Sequence, residues 1–92
     1  MSKITVERAH HLGRDKARAR AEQLVQKLTS KYGLEHDWDG DTVQLSGKGA
    51  KGRLEVGDDL VLIVLELSFF LSPMSGAIQS EIERVLDREL AA

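Results

Sequence analysis

The spacing of apolar residues changes period twice along the chain, and each change marks a new element. Residues 3–8 alternate, with Ile4 and Val6 on one side and Lys3, Thr5 and Glu7 on the other, which predicts a short half-buried strand. From Arg14 the repeat lengthens. Ala17, Ala21, Leu24, Val25, Leu28 and Tyr32 fall on one stripe of a helix over about 13–32, and Gly33 follows where a left-handed residue would stop it. Period-two patterning then returns. Leu34, His36 and Trp38 alternate with Glu35 and Asp37 ahead of Asp39-Gly40, a two-residue hairpin signal. Strands are expected over 42–46 (Val43 and Leu45 inward), over 53–56 after a glycine-rich turn at 47–52, and over 60–67.

The last of these strands is apolar on both faces, which suits either a central strand or one whose outer face another subunit covers. Ser72-Pro73 then reads as a helix start, with serine as cap and proline at the first helical position. Ile78, Ile82, Val85 and Leu86 make the buried stripe of that second helix. The expected order is β-α-β-β-β-β-α: an α+β, two-layer fold over residues 1–92, with an antiparallel sheet packed against two helices.

Length and composition narrow the picture. The 92 residues are enough for one small domain, with 41% hydrophobic and 4% aromatic side chains. A chain of this size buries a modest core, so association with a second copy or a surface is expected. It has no cysteine, hence no disulfide framework and no thiolate zinc site. The first residues lack the apolar core of a signal peptide, which predicts a cytoplasmic protein. The longest apolar run, 60–71, is broken by Glu66 and Ser68 and falls short of the roughly 18 residues a membrane span requires.

The net charge of −2 hides an asymmetry. Residues 1–53 carry 11 basic and 7 acidic side chains, whereas residues 54–92 carry 2 and 8. The two halves are expected to attract each other.

Several constellations invite a chemical reading. Residues 47–52 fit G-x-G-x-x-G, but the next element reads as a strand rather than the helix that a nucleotide site needs, so a glycine-rich hairpin is expected. Lys48, Lys51 and Arg53 remain a weak candidate anion site. His36, Asp37, Asp39 and Asp41 cluster at a turn, yet their spacing puts Thr42 and Lys48 where a calcium loop needs glycine and glutamate. No metal or cofactor is therefore expected. His10 and His11 have no sequence-local partner that completes a catalytic site, and the chain is read as non-enzymatic. Arg8, Arg14, Lys16, Arg18 and Arg20 could follow phosphates, but helical geometry places them as flanks of the buried stripe and argues against nucleic acid. Phe69, Phe70, Leu71 and Met74 hold half of the aromatic residues, either closing the core or facing a partner.

Taken in order, Ile4-x-Val6-x-Arg8-x-His10-x-Leu12-Gly13, Ala17-Arg18, Trp38-x-Gly40-Asp41 and Gly49-x-x-Gly52-x-Leu54-x-Val56 resemble the polyhydroxyalkanoic acid system family, the polyhydroxyalkanoate granule regulatory proteins. The resemblance covers nearly the whole chain. It implies a bacterial cytoplasmic protein associated with polyester storage granules, and it transfers no catalytic or ligand residues. The expected function is a non-enzymatic interaction or regulatory module of polyester storage, acting on the granule surface or on granule proteins. A homodimer is expected through the outer face of the strand over 60–67. The candidate contact residues are Val61, Ile63, Leu65, Phe69, Phe70, Leu71 and Met74. The alternative is a binding protein for a small ligand such as a 3-hydroxyacyl chain, or an enzyme, using a pocket between the sheet and the second helix.

Overall fold

The computed structural model describes residues 2–91; Met1 and Ala92, the ends of the expected 1–92 domain, lie outside the described residues. The elements are β1 (Ser2–Ala9), α1 (Arg14–Tyr32), β2 (Glu35–Asp39), β3 (Thr42–Ser46), β4 (Ala50–Val56), β5 (Leu60–Leu67) and α2 (Ser75–Glu89). A 3-10 turn, Ser72–Met74, leads into α2. All strand pairs are antiparallel and the sheet order is β1-β5-β4-β3-β2, with both helices on one face. This is the expected two-layer α+β fold.

Sheet order explains the double-sided hydrophobicity of β5, because the strand lies between β1 and β4. Its odd-numbered residues Val61, Ile63, Leu65 and Leu67 meet Ala17, Leu24 and Leu28 of α1 and Ile78, Ile82 and Leu86 of α2 in one buried cluster. Ile4 and Val6 join it from β1, as do Val43, Leu45, Leu54 and Val56 from β3 and β4. Helix α1 ends where its sequence predicts. Gly33 adopts the left-handed conformation (φ 66°) and its N–H donates to the Thr29 carbonyl.

Three local expectations are corrected. The β2–β3 loop is Gly40-Asp41 rather than Asp39-Gly40, since Gly40 takes the positive φ (63°) and Asp39 pairs with Thr42. The glycine-rich turn is shorter than 47–52, because β4 begins at Ala50 and includes Gly52. There a side chain would fit badly: a Cβ on Gly52 would collide with the Val64 carbonyl oxygen and approach the Leu65 Cα to 2.9 Å. Ser72 does not cap α2; its hydroxyl donates to the Ser68 carbonyl at 3.0 Å, and the 3-10 turn intervenes.

The attraction between halves takes the form of ion pairs, two linking a helix to the sheet or its β4–β5 turn and two linking α1 to α2. Arg8 Nε binds Asp87 at 2.8 Å, Arg14 reaches Asp58 at 3.2 Å, Arg20 lies 3.9 Å from Glu89, and Lys31 binds Glu81 at 2.9 Å. Tyr32 also donates to Glu81, at 3.3 Å. The hydrogen bond from Lys31 holds the Glu81 carboxyl below its usual pKa, against the opposing effect of burial.

Two outcomes are expected. Gly52→Ala should lower the unfolding free energy by about 1–3 kcal/mol in urea titrations, because the obstacle is backbone. A lowered folded-state pKa means that the unfolded chain binds the proton more readily, so the Glu81 contribution is complete above the ordinary glutamate pKa. It is lost as pH falls through the lowered value. Glu81→Gln should therefore flatten that part of the acid limb when urea midpoints are measured against pH.

Candidate functional site

Among the described residues, the end of the molecule beyond β5 carries the most exposed large apolar side chains. Phe69 is 85% exposed, Phe70 62% and Met74 45%. The turn that presents them is well tied. Ser68 donates its N–H to the Gly49 carbonyl at 2.9 Å, while its own carbonyl accepts from the N–H of Leu71 (3.2 Å) and of Ser72 (3.0 Å). The Met74 N–H closes the next turn on the Leu71 carbonyl at 2.9 Å. Leu71 folds back against the core and over Gly49, where a Cβ would strike its side chain. The two phenylalanines thus project from a short hydrogen-bonded tip.

Beside the tip lies the turn at residues 47–49. An open depression of about 530 Å³ is lined by Tyr32, Glu35, Lys48, Phe70 and Leu71 among others. A second, of about 280 Å³, is lined by Lys48, Lys51, Glu66 and Ser68 among others. Lys48 borders both. Apolar tip and lysine-bearing turn, separate features in the sequence, are neighbours in the fold. Arg53 shares a third open depression, of about 370 Å³ on the sheet face, with Lys51 but not with Lys48, and its guanidinium is paired with Glu55 there. Lys51 thus borders one depression with Lys48 and another with Arg53, and neither is lined by all three.

The outward face of β5 has the opposite parity to that expected. Val61, Ile63 and Leu65 are buried beneath the helices, so they are core residues and offer no surface to a partner. The outward residues are Leu60, Leu62, Val64 and Glu66. They are flanked by Lys3, Thr5 and Glu7 on β1 and by Lys51, Arg53 and Glu55 on β4. A strand apolar on both faces gives no sequence signal of which parity the helices take; Ile4 and Val6 of the paired strand do. The space proposed for a pocket between sheet and α2 is filled by Ile78, Ile82, Val85 and Leu86, each at most 1% exposed.

The remaining sequence candidates have local structural partners. His10 is 3% exposed, receives the Leu12 N–H on Nδ1 (3.2 Å) and therefore donates from Nε2 to the Gly57 carbonyl (3.1 Å). Its backbone N–H reaches the Asp59 carbonyl at 2.9 Å. Arg8 and His10 thus serve separate bonds, one to α2 and one to the β4–β5 turn. Arg18 lies 4.0 Å over the Trp38 ring and donates to the Gly40 carbonyl, while Trp38 Nε1 donates to Glu22 at 2.7 Å. Asp41 pairs with Arg14 at 3.4 Å. Asp37 and Asp39 lie on the open sheet face, opposite to His36, so the acidic turn does not converge on a point. Residues 47–52 lead from strand to strand, with no helix N-terminus to receive a phosphate.

These features define a class: a two-layer α+β protein with one open sheet face and an apolar, lysine-flanked tip. Residues 4–90 match the family model described as "Putative polyhydroxyalkanoic acid system protein", and the chain belongs to that family. The NMR structure of PA4090 from Pseudomonas aeruginosa shares the fold, with a TM-score of 0.60 over 100% of this chain and 88% of that chain at 14% identity. No curated protein matches the chain. Among the described residues, no helix is long and apolar enough to cross a membrane.

The residues that carry the family resemblance hold the fold together. Ile4, Val6, Leu54 and Val56 are core, Gly13 and Gly40 take positive φ, and Arg8, His10, Arg18 and Asp41 fasten loops and layers. Replacing His10 by alanine should accordingly cost about 1–3 kcal/mol of stability, by leaving the Gly57 carbonyl and Leu12 N–H without their partner. Urea denaturation measures this directly.

Proposed function

We propose that the protein is a non-enzymatic interaction module of the polyester-storage system that holds to an apolar surface, the granule, through the tip at residues 69–74. The observation that carries this reading is the exposure of adjacent Phe69 and Phe70, with Met74, on a turn tied by Ser68. Leaving such side chains in water has a free-energy cost, and burying them recovers it without any covalent step. A polyester granule presents an apolar polymer to water and would receive them. Lys48 and Lys51, beside the tip, would add a salt-screened attraction to anionic groups at that surface. The family supplies the polyester context and the exposed tip supplies the means of contact. Such a module works in the compartment where granules form, the cytoplasm.

The test is partition of purified protein onto isolated polyester granules, with Phe69→Ser/Phe70→Ser as the variant. Burial of each phenylalanine is worth about 1.5–3 kcal/mol, so the double variant should bind at least about 100-fold more weakly. Its thermal unfolding should be little changed, since neither ring belongs to the core. Absence of wild-type binding, or equal binding by the folded variant, would contradict direct contact through the tip.

A further inference from the structure

The sheet has two free edges of different chemistry. β2 is five residues long and places Glu35, Asp37 and Asp39 on one face, a row of carboxylates that discourages pairing with another copy of itself. β1 is eight residues long, contains neither proline nor glycine, and exposes Lys3, Thr5 and Glu7. The backbone bond from the His10 N–H to the Asp59 carbonyl fixes which residues face β5. Even-numbered residues of β1 direct their N–H and C=O groups into that ladder. By alternation, Lys3, Thr5, Glu7 and Ala9 direct theirs to the open edge. The Arg8 guanidinium donates to the Glu7 carbonyl at 3.0 Å, as expected for an oxygen outside the ladder.

We propose that this edge pairs with β1 of a second copy, antiparallel and centred on Thr5, joining two sheets into one across a two-fold axis. In that register the segment Lys3-Ile4-Thr5-Val6-Glu7 is complementary to itself. Thr5 meets Thr5 of the second copy, Lys3 lies opposite its Glu7 and Glu7 opposite its Lys3, while on the core face Ile4 and Val6 lie opposite each other. All the backbone groups this register uses belong to residues pointing to the open edge. A slide of two residues in either direction sets Lys3 against Thr5 or Ala9 and removes both opposite-charge pairs. A slide of one residue turns the faces over, bringing Ile4 and Val6 to the charged side. The Glu7 carbonyl has two lone pairs, so it can keep Arg8 and still accept the N–H of the facing Lys3.

Symmetry has a further geometric consequence, which rests on the tip being the contact site. Ser2 pairs with Leu67, immediately before the tip, and lies opposite Arg8 in the dimer register. The two tips then fall at opposite ends of the joined sheet. Such a dimer would meet two surfaces rather than one surface twice.

Sedimentation equilibrium of the full chain, without granules, tests the pairing independently of any granule contact. The wild type should sediment at twice the chain mass. Thr5→Pro removes an N–H that the β1–β5 ladder does not use, so it should halve the mass while the far-ultraviolet spectrum and cooperative unfolding persist. Lys3→Glu and Glu7→Lys should each dimerise more weakly than the wild type when alone, should form a mixed dimer when combined, and should restore the homodimer when both are placed in one chain. The charge exchange decides the outcome even where proline perturbs the strand. A monomeric wild type, or single charge variants as dimeric as wild type, would overturn the proposal.

Discussion

Burial of the odd-numbered face of β5 against two helices is the constraint on which the rest of the structure depends. The strand pairs on both sides, so it fixes β1 and β4, and Val61, Ile63, Leu65 and Leu67 form the floor on which α1 and α2 lie. Once both helices occupy that face, the other remains open. It is covered by its own charges, with Lys3, Glu66 and Lys51 in one row and Glu7, Leu62 and Glu55 in another. The alternating charges of the first row and the two carboxylates of the second keep such a surface solvated, while the Val64 side chain is shielded between neighbouring strands.

The elements are then fastened to one another by electrostatics between the halves of the chain. The basic N-terminal half supplies Arg8, Arg14, Arg20 and Lys31, and the acidic C-terminal half supplies Asp87, Asp58, Glu89 and Glu81. Most of these pairs are partly exposed, and each contributes little by itself. Their collective effect is to specify how α2 sits across β1 and beside α1. It also accounts for the basic run at residues 8–20, whose arginines are engaged within the molecule. The same holds for the family motif, whose histidine, arginines and glycines set loop geometry.

Element type and order were legible because each segment has one dominant period: 3.6 for the stripe from Ala17 to Leu28, two for Ile4 and Val6 and for Val43 and Leu45. Glycine positions were legible to within a residue, but which residue of Asp39-Gly40-Asp41 begins the loop depends on pairing across the hairpin. Gly52 was hidden in a run of glycines, since its constraint comes from the Val64 carbonyl on another strand. The orientation of β5 is not legible in its own sequence because Leu60, Leu62 and Val64 are as apolar as Val61, Ile63 and Leu65. Parity there is decided by the neighbouring strands. The tip was visible as an aromatic cluster, whereas its exposure and its adjacency to Lys48 arise only when the Ser68 N–H meets the Gly49 carbonyl.

Amide hydrogen exchange in the presence and absence of polyester granules tests the proposed adhesive role of the tip at residues 69–74. Contact through the tip should give granule-dependent protection confined to residues 69–74 and the adjoining turn at 47–49, with the open face of β3 and β4 exchanging as before. Protection centred on that open sheet face, or none anywhere on saturating granules, would contradict it.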